Sequence, residues 1–302
     1  MSATEGVLSR PGAAAGRSAL ATFARRHPLI AYYLWAFIAV WAMTVPLVIS
    51  QRGLGWLLLP DSLLLVLYVG GTFVGPLPAA LVLTGLTEGR SGVRALLLRM
   101  VQWRVGIGWY LLVIVGYPLL ILALVTPVLG FAPWGVALSN PSLVASTYLP
   151  AIAIGLFLPG IQEEPGWRGF AVPRLQRMYG PMLAALIQGV LHALWHTPGY
   201  FIPGAVTETG FDLGVYVGNS MSIIAFTFVW NWLFNNAGGS VLFAILVHAT
   251  TNATGQYINQ LSSADVGWWG YASAWLVALL IIACTHGRLG YRGAQLSAKH
   301  RI

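Results

Sequence analysis

The hydrophobic positions of this chain fall in long, nearly unbroken runs rather than in the single apolar stripe of a soluble amphipathic helix. Runs of spanning length, each needing about 20 residues, lie near 29–49, 62–86, 107–129, 146–166, 181–198, 214–234, 239–257 and 267–285. They predict an all-α fold, a polytopic membrane helix bundle of about eight transmembrane helices. Breakers divide the runs. Gly70, Gly71, Gly75, Pro76 and Pro78 interrupt the second and predict a kink or a close helix contact. Gly180 and Pro181 predict a hairpin turn between the fourth and fifth runs, and Asn235, Asn236, Gly238 and Gly239 one between the sixth and seventh.

Composition agrees with the pattern, because a 302-residue chain that is 57% hydrophobic and 8% charged is no ordinary soluble globule. A net charge of +8 would suggest nucleic acid on a soluble domain. Here it sets topology instead, and no nucleic-acid partner is expected. With the N-terminus inside and eight crossings, Arg52 alone of the 16 Lys and Arg residues falls outside, as the positive-inside rule requires. Asp61, Glu208, Asp212 and Asp265 fall on the outer side. The expectation is a multi-pass protein of a bacterial plasma membrane, with the bilayer as partner and both termini cytoplasmic. Residues 1–28, with Arg10, Arg17, Arg25 and Arg26, read as a disordered basic tail rather than a cleaved leader. Residues 29–285 read as one membrane domain and 286–302 as a second basic tail. The stretch 88–105, with Arg94, Arg99 and Trp103 around an apolar centre, suits either a helix on the inner membrane face or a basic loop. A single cysteine, Cys284, excludes an internal disulfide.

Against this background residues 161–170, IQEEPGWRGF, place two adjacent carboxylates in a chain with only 8 acidic residues. An ionisable side chain at bilayer depth costs at least about 2.5 kcal/mol and usually marks a functional site. Consecutive helical residues project about 100° apart, so Glu163 and Glu164 serve different purposes. Glu164 and Arg168 have the four-residue spacing and order of an ion pair, which leaves Glu163 to face a site. Pro165 deprives the Ile161 carbonyl of its helical partner and predicts a kink, and Gly166 admits a close neighbour. His192 and His196 share a helix face, as do His248 and Asn252. Counting about 1.5 Å per residue from the Gly180 turn puts Glu163 and His196 at similar depth, provided the fourth helix runs on past Pro173. A lone buried histidine is more often a satisfied structural partner. An acid, three imidazoles and a carboxamide on three helices argue for a site. The tryptophans, among them Trp56, Trp268 and Trp269, read as interfacial anchors.

Three patterns thus occur in order: EExxxR at Glu163, Glu164 and Arg168; HALWH ending at His196, in the place of an aromatic-xxx-His pattern; and HxxxN at His248 and Asn252. On these residues the chain resembles the CPBP intramembrane protease family, which includes type II CAAX prenyl endopeptidases and bacteriocin-immunity-type proteins. The likeness covers a core of about 145–257. It implies an intramembrane endopeptidase acting on a membrane-associated peptide or protein, with a prenylated C-terminus and an unprenylated membrane segment both admissible. It further implies Glu163 and His196 as activators of water, and His248 and Asn252 as donors to the tetrahedral oxyanion, with Glu164 and Arg168 in support. His192 departs from the family, which usually has an aromatic there. It reads as a substitute for the ring's shape or as an added ligand or proton carrier. No cofactor is expected on this mechanism. A zinc version would use Glu163, His196 and His248 as ligands, but Ala193 stands where the zinc-protease helix HExxH carries its general base. A non-catalytic immunity or binding protein is the alternative from another class.

Overall fold

A computed structural model describes residues 19–206, 210–261 and 266–293. Among these residues there is no strand, only an isolated bridge between Ser50 and Leu57. Helix α1 (Ala19–Arg26) leads into α2 (Pro28–Ile49), where Pro28 occupies a first-turn position at which its missing N–H costs nothing. Helices α3 (Asp61–Phe73) and α4 (Pro76–Met100) are bent by 49° across the Gly75–Pro76 break. Helices α5 (Ile107–Leu111) and α6 (Tyr117–Leu129) are continuous through a π turn at Leu112–Gly116, and α7 (Ala132–Ser139) is short. A helical stretch of 58 residues, Val144–Phe201, follows. It comprises α8 (Leu149–Gly155), α9 (Ile161–Gly166) and α10 (Val172–Trp195), joined by π turns. Helices α11 (Leu213–Asn236), α12 (Val241–Leu261) and α13 (Gly267–Cys284) complete the described chain.

The protein is therefore an all-α, multi-pass membrane bundle, but not one of eight independent apolar rods. Among the described residues, five stretches are long and apolar enough to cross a membrane, or six with α3 and α4 taken as one bent span. Two features account for the difference from the expected count. Within α10, Gly180 adopts φ 75° and ψ 171° and breaks the helix, so Val144–Phe201 carries two of the expected runs. Helix α12 carries His248, Asn252, Gln256, Asn259 and Gln260 along with three threonines, which lowers its hydropathy.

The first half of α12, which carries the buried His248, is central to the bundle. Val241, Ala244 and Ile245 pack with Tyr32, Trp167 and Phe170; Phe243 and Val247 pack with α11 and α13; Ala249, Ala253 and Tyr257 pack with α6 and α8. The stretch 241–250 is largely buried and meets protein, while Asn252, Gln256, Asn259 and Gln260 are exposed on the stretch beyond it. The lipid-facing surface lies instead on outer helices, where Ile38, Leu65 and Leu119 are exposed.

Of the tail expected over 1–28, residues Ala19–Arg26 form a helix whose Ala24 is buried against α2 and α4. Residues 1–18, Glu208, Asp265, Lys299 and Arg301 lie outside the described residues. Trp56 and Trp268 are well exposed, as interfacial anchors should be.

Candidate active site

Both carboxylates are buried on α9, Glu163 at 6% exposure and Glu164 at 0%. Pro165 cannot donate to the helix ladder. A wide π turn follows at Trp167–Ala171, after which α10 continues through Pro173 in its first turn. Arg168 returns along the same face, and its Nη1 donates to Glu164 Oε1 at 2.9 Å and Oε2 at 3.1 Å. Across the interface with α12, His248 Nδ1 lies 2.9 Å from Glu164 Oε1. The Arg168 guanidinium stacks 4.8 Å from the Trp230 ring centre, and that ring stands 4.8 Å from the His248 ring. Glu164 thus anchors a closed group of Arg168, Trp230 and His248.

Glu163 looks to a different group. Trp167 Nε1 donates to its Oε2 at 3.1 Å, and His192 Nε2 approaches the same oxygen at 3.0 Å. His192 also packs 5.1 Å from the Trp167 ring and 5.0 Å from the His196 ring. The ligating atoms of Glu163, His192 and His196 all lie within 4.8 Å of one another. Because Glu163 precedes the Gly180 break and both histidines follow it, this contact requires the chain to fold back there, as the spacing predicts.

Several expected placements differ. Straight-rod counting levels Glu163 with His196, whereas the hydrogen-bonded partner is His192, one turn nearer Gly180. His196 still lies close, with its ligating atom within 4.8 Å of those of Glu163 and His192. His192 is more than a shape substitute, since its ring nitrogen meets the carboxylate. His248 is engaged by Glu164 rather than by Glu163, so the zinc set of Glu163, His196 and His248 is not assembled. Asn252 is exposed on α12, one turn beyond His248, and lies outside the hydrogen-bonded cluster.

The group that does assemble fits a divalent cation. Two histidines and a carboxylate are a known zinc donor set, with ligand atoms about 3.4 Å apart around bonds of about 2.1 Å. Closing the triad from its present spread requires shifts of about 1 Å, within side-chain reach.

Three supporting residues escaped the sequence reading. Trp167, four residues after Glu163, was legible in principle as the same helix face. Trp230 sits in mid-helix, where only the tertiary stack reveals its use. Arg99 is the third. Gly89 breaks α4 with φ 71°, and beyond it Arg99 reaches the Gly239 carbonyl at 2.8 Å, the Gly169 carbonyl at 3.1 Å and the Arg168 carbonyl at 3.2 Å. Nearby, Ser240 Oγ donates to the Gln102 carbonyl at 2.6 Å and accepts from Phe243 N at 3.0 Å, capping α12. Arg99 therefore ties the π turn carrying Arg168 to the helix carrying His248. Arg99→Ala should cost about 3 kcal/mol, given carbonyls left without a charged donor. Arg99→Lys should recover less than half, because one ammonium cannot span three acceptors. Thermal inactivation of the detergent-solubilised protein measures both.

Gly166 sits where α2 and α4 press against α9. A Cβ there would overlap Tyr32 Oη and stand 2.8 Å from the Pro76 carbonyl oxygen. Gly166→Ala is expected to destabilise by about 2 kcal/mol through overpacking, read as a lower midpoint in the same assay. On the far side of Trp230 lies an apolar cavity of about 230 Å³, lined by Tyr117, Leu120, Val229, Trp230, Leu233 and Thr251 among others.

Comparison with known proteins bears on this same region. Residues 144–254 match the family described as type II CAAX prenyl endopeptidase Rce1-like. A protein of Methanococcus maripaludis named CAAX prenyl protease 2 is 27% identical over 110 residues, which is 36% of this chain and 40% of that relative. The match takes in α8 to α11 and the His248–Asn252 face of α12, and leaves out α1 to α7 and α13.

Proposed function

We propose, from the likeness of residues 144–254 to the type II CAAX prenyl endopeptidase family, that the protein is an intramembrane endopeptidase driven by glutamate-activated water. The observation that carries this reading is the setting of Glu163. It is a buried carboxylate fixed through one oxygen by Trp167 and His192, with His196 beside it. Both fixed bonds use Oε2, which leaves Oε1 for a water.

Amide hydrolysis needs a base for the water, a donor for the oxyanion and a proton for the leaving nitrogen. Glu163 and His196 polarise the water, Glu163 takes its proton as oxygen attacks the scissile carbonyl, and that proton passes to the departing amine from Glu163 directly or by way of His196. His192 and Trp167 hold the carboxylate in place. His248 has Nδ1 committed to Glu164, so Nε2 is the nitrogen left for substrate. Protonated there, it donates to the oxyanion while Glu164 balances its charge, the logic by which a carboxylate orients a catalytic imidazole. Asn252 enters as the second oxyanion donor on its spacing from His248 alone.

No cofactor is required. The substrate is a membrane-associated peptide or protein, and the apolar cavity beside Trp230 suits a lipophilic portion of it, a prenyl group among the candidates. The distribution of basic residues supports a bacterial plasma membrane location with both termini cytoplasmic. The test compares membrane-peptide profiles of cells carrying the wild type and Glu163→Gln at equal protein level. Fragments present only with the wild type are expected. Identical profiles, with the biological effect intact, would favour a binding or immunity protein.

A further inference from the structure

The geometry points to Glu163, His192 and His196 as a site for one divalent zinc-type cation whose occupancy switches the protease off. This inference rests on the proposed role of Glu163 and adds a regulator of that same site. Three observations carry it. The donor set is two imidazoles four residues apart on α10 and one carboxylate across the interface, with ligating atoms within 4.8 Å. The carboxylate already has the outer hydrogen bond that orients a ligating oxygen, from Trp167 Nε1 at 3.1 Å. Finally, His192 Nδ1 is buried with no hydrogen-bond partner, so the imidazole is held only through Nε2, on the side that faces Glu163.

Glu163 and His192 are buried, but His196 ends α10 at half-burial beside the 3-10 turn Thr197–Phe201 and gives a cation a way in. Binding replaces the proton on His192 Nε2 and brings the three donors inward by about 1 Å toward tetrahedral bond lengths. The proton moves to Nδ1 or to solvent. Nothing is oxidised or reduced.

The bound state lacks a base. Glu163 as ligand no longer accepts a proton from water. Glu164 is held by Arg168 and His248, and Ala193 stands at the helix position that supplies a glutamate in HExxH enzymes. With Glu163 taken as a ligand, no carboxylate is left at the site to carry a proton from water to the departing amine.

The test uses full-length protein in detergent, stripped with chelator and titrated with Co²⁺, whose visible absorption reports tetrahedral nitrogen and oxygen coordination. One equivalent per chain is expected, displaced by Zn²⁺. His192→Phe and His196→Asn, each checked for monodispersity, should weaken binding by about 100-fold, as loss of one ligand in three requires. Wild-type protein without the absorption band, or both variants binding as the wild type does, overturns the site. With a fragment assay in hand, Zn²⁺ should suppress cleavage in step with occupancy and chelator should restore it. Cleavage lost on chelation and restored by zinc overturns the inhibitory role. The spectral titration needs no proteolysis, so its failure is separable from failure of the protease reading.

Discussion

Arg168→Ala will strip the protein from the membrane rather than slow its chemistry. Arg168 and Glu164 are both 0% exposed and bonded through a single guanidinium nitrogen, with the guanidinium stacked on Trp230. Removing one member of a buried pair costs about 3–5 kcal/mol, because the other charge stays desolvated and uncompensated. Against a total stability of about 5–15 kcal/mol, that loss is enough to lower steady-state abundance several-fold. Arg168→Lys should fare only slightly better, since an ammonium lacks the planar face that stacks on an indole. The double variant Glu164→Leu with Arg168→Met removes both charges, and more than half the lost abundance should return. Its catalysis should not, because His248 would lose the carboxylate that holds Nδ1. Membrane abundance and thermal midpoint in detergent measure the first effect and fragment yield the second. Wild-type abundance of Arg168→Ala would show that the pair does not fasten the bundle.

The three motif segments are legible in the sequence because each lies on one helix, where four-residue spacing translates directly into a shared face. The Glu164–Arg168 pair and the fold-back at Gly180 follow from that spacing. What spacing cannot supply is the phase between helices. Glu163 is bonded by His192 rather than by His196 one turn further along, and no propensity of Trp167–Ala171 announces the π turn between them. Likewise the pairing of His248 with Glu164 depends on the rotation of α12 against α9. Helix α12 shows the same limit at the level of the fold. Its threonines and exposed amides weaken it as a lipid-facing span, while its first half takes its place from packing against α8 and α11, which hydropathy does not measure. Arg99 is a third case. The sequence shows an arginine in a basic amphipathic stretch, the natural reading of which is topology. Only the convergence of the carbonyls of Arg168, Gly169 and Gly239 distinguishes it from Arg94, which is exposed on the same helix.

Glu163→Gln tests the opposite corner of the site, and its effect should fall on rate with little on stability. Glutamine keeps an oxygen able to accept from Trp167 Nε1 and His192 Nε2, so both present bonds survive. What it loses is the basicity of the carboxylate. General-base catalysis contributes about 10²–10⁴-fold, and here no neighbouring carboxylate can substitute because Glu164 is bound by Arg168 and His248. kcat is expected to fall by about 10³-fold, with KM within about two-fold, since the group acts in the transition state rather than in substrate binding. Glu163→Asp separates charge from position. It retains the base one methylene further from the water and should keep about a tenth of the activity, positioning being the term it loses. The thermal midpoint of Glu163→Gln should stay within a few degrees of the wild type, in contrast to Arg168→Ala. The two adjacent glutamates thus make opposite forecasts from the same burial. Glu164 has both oxygens bonded, by Arg168 and His248, and is needed for the fold, while Glu163 has an oxygen left over and is needed for the reaction. A Glu163→Gln protein that cleaves at the wild-type rate would remove the base from the mechanism, and with it the reason for a buried acid beside His192 and His196.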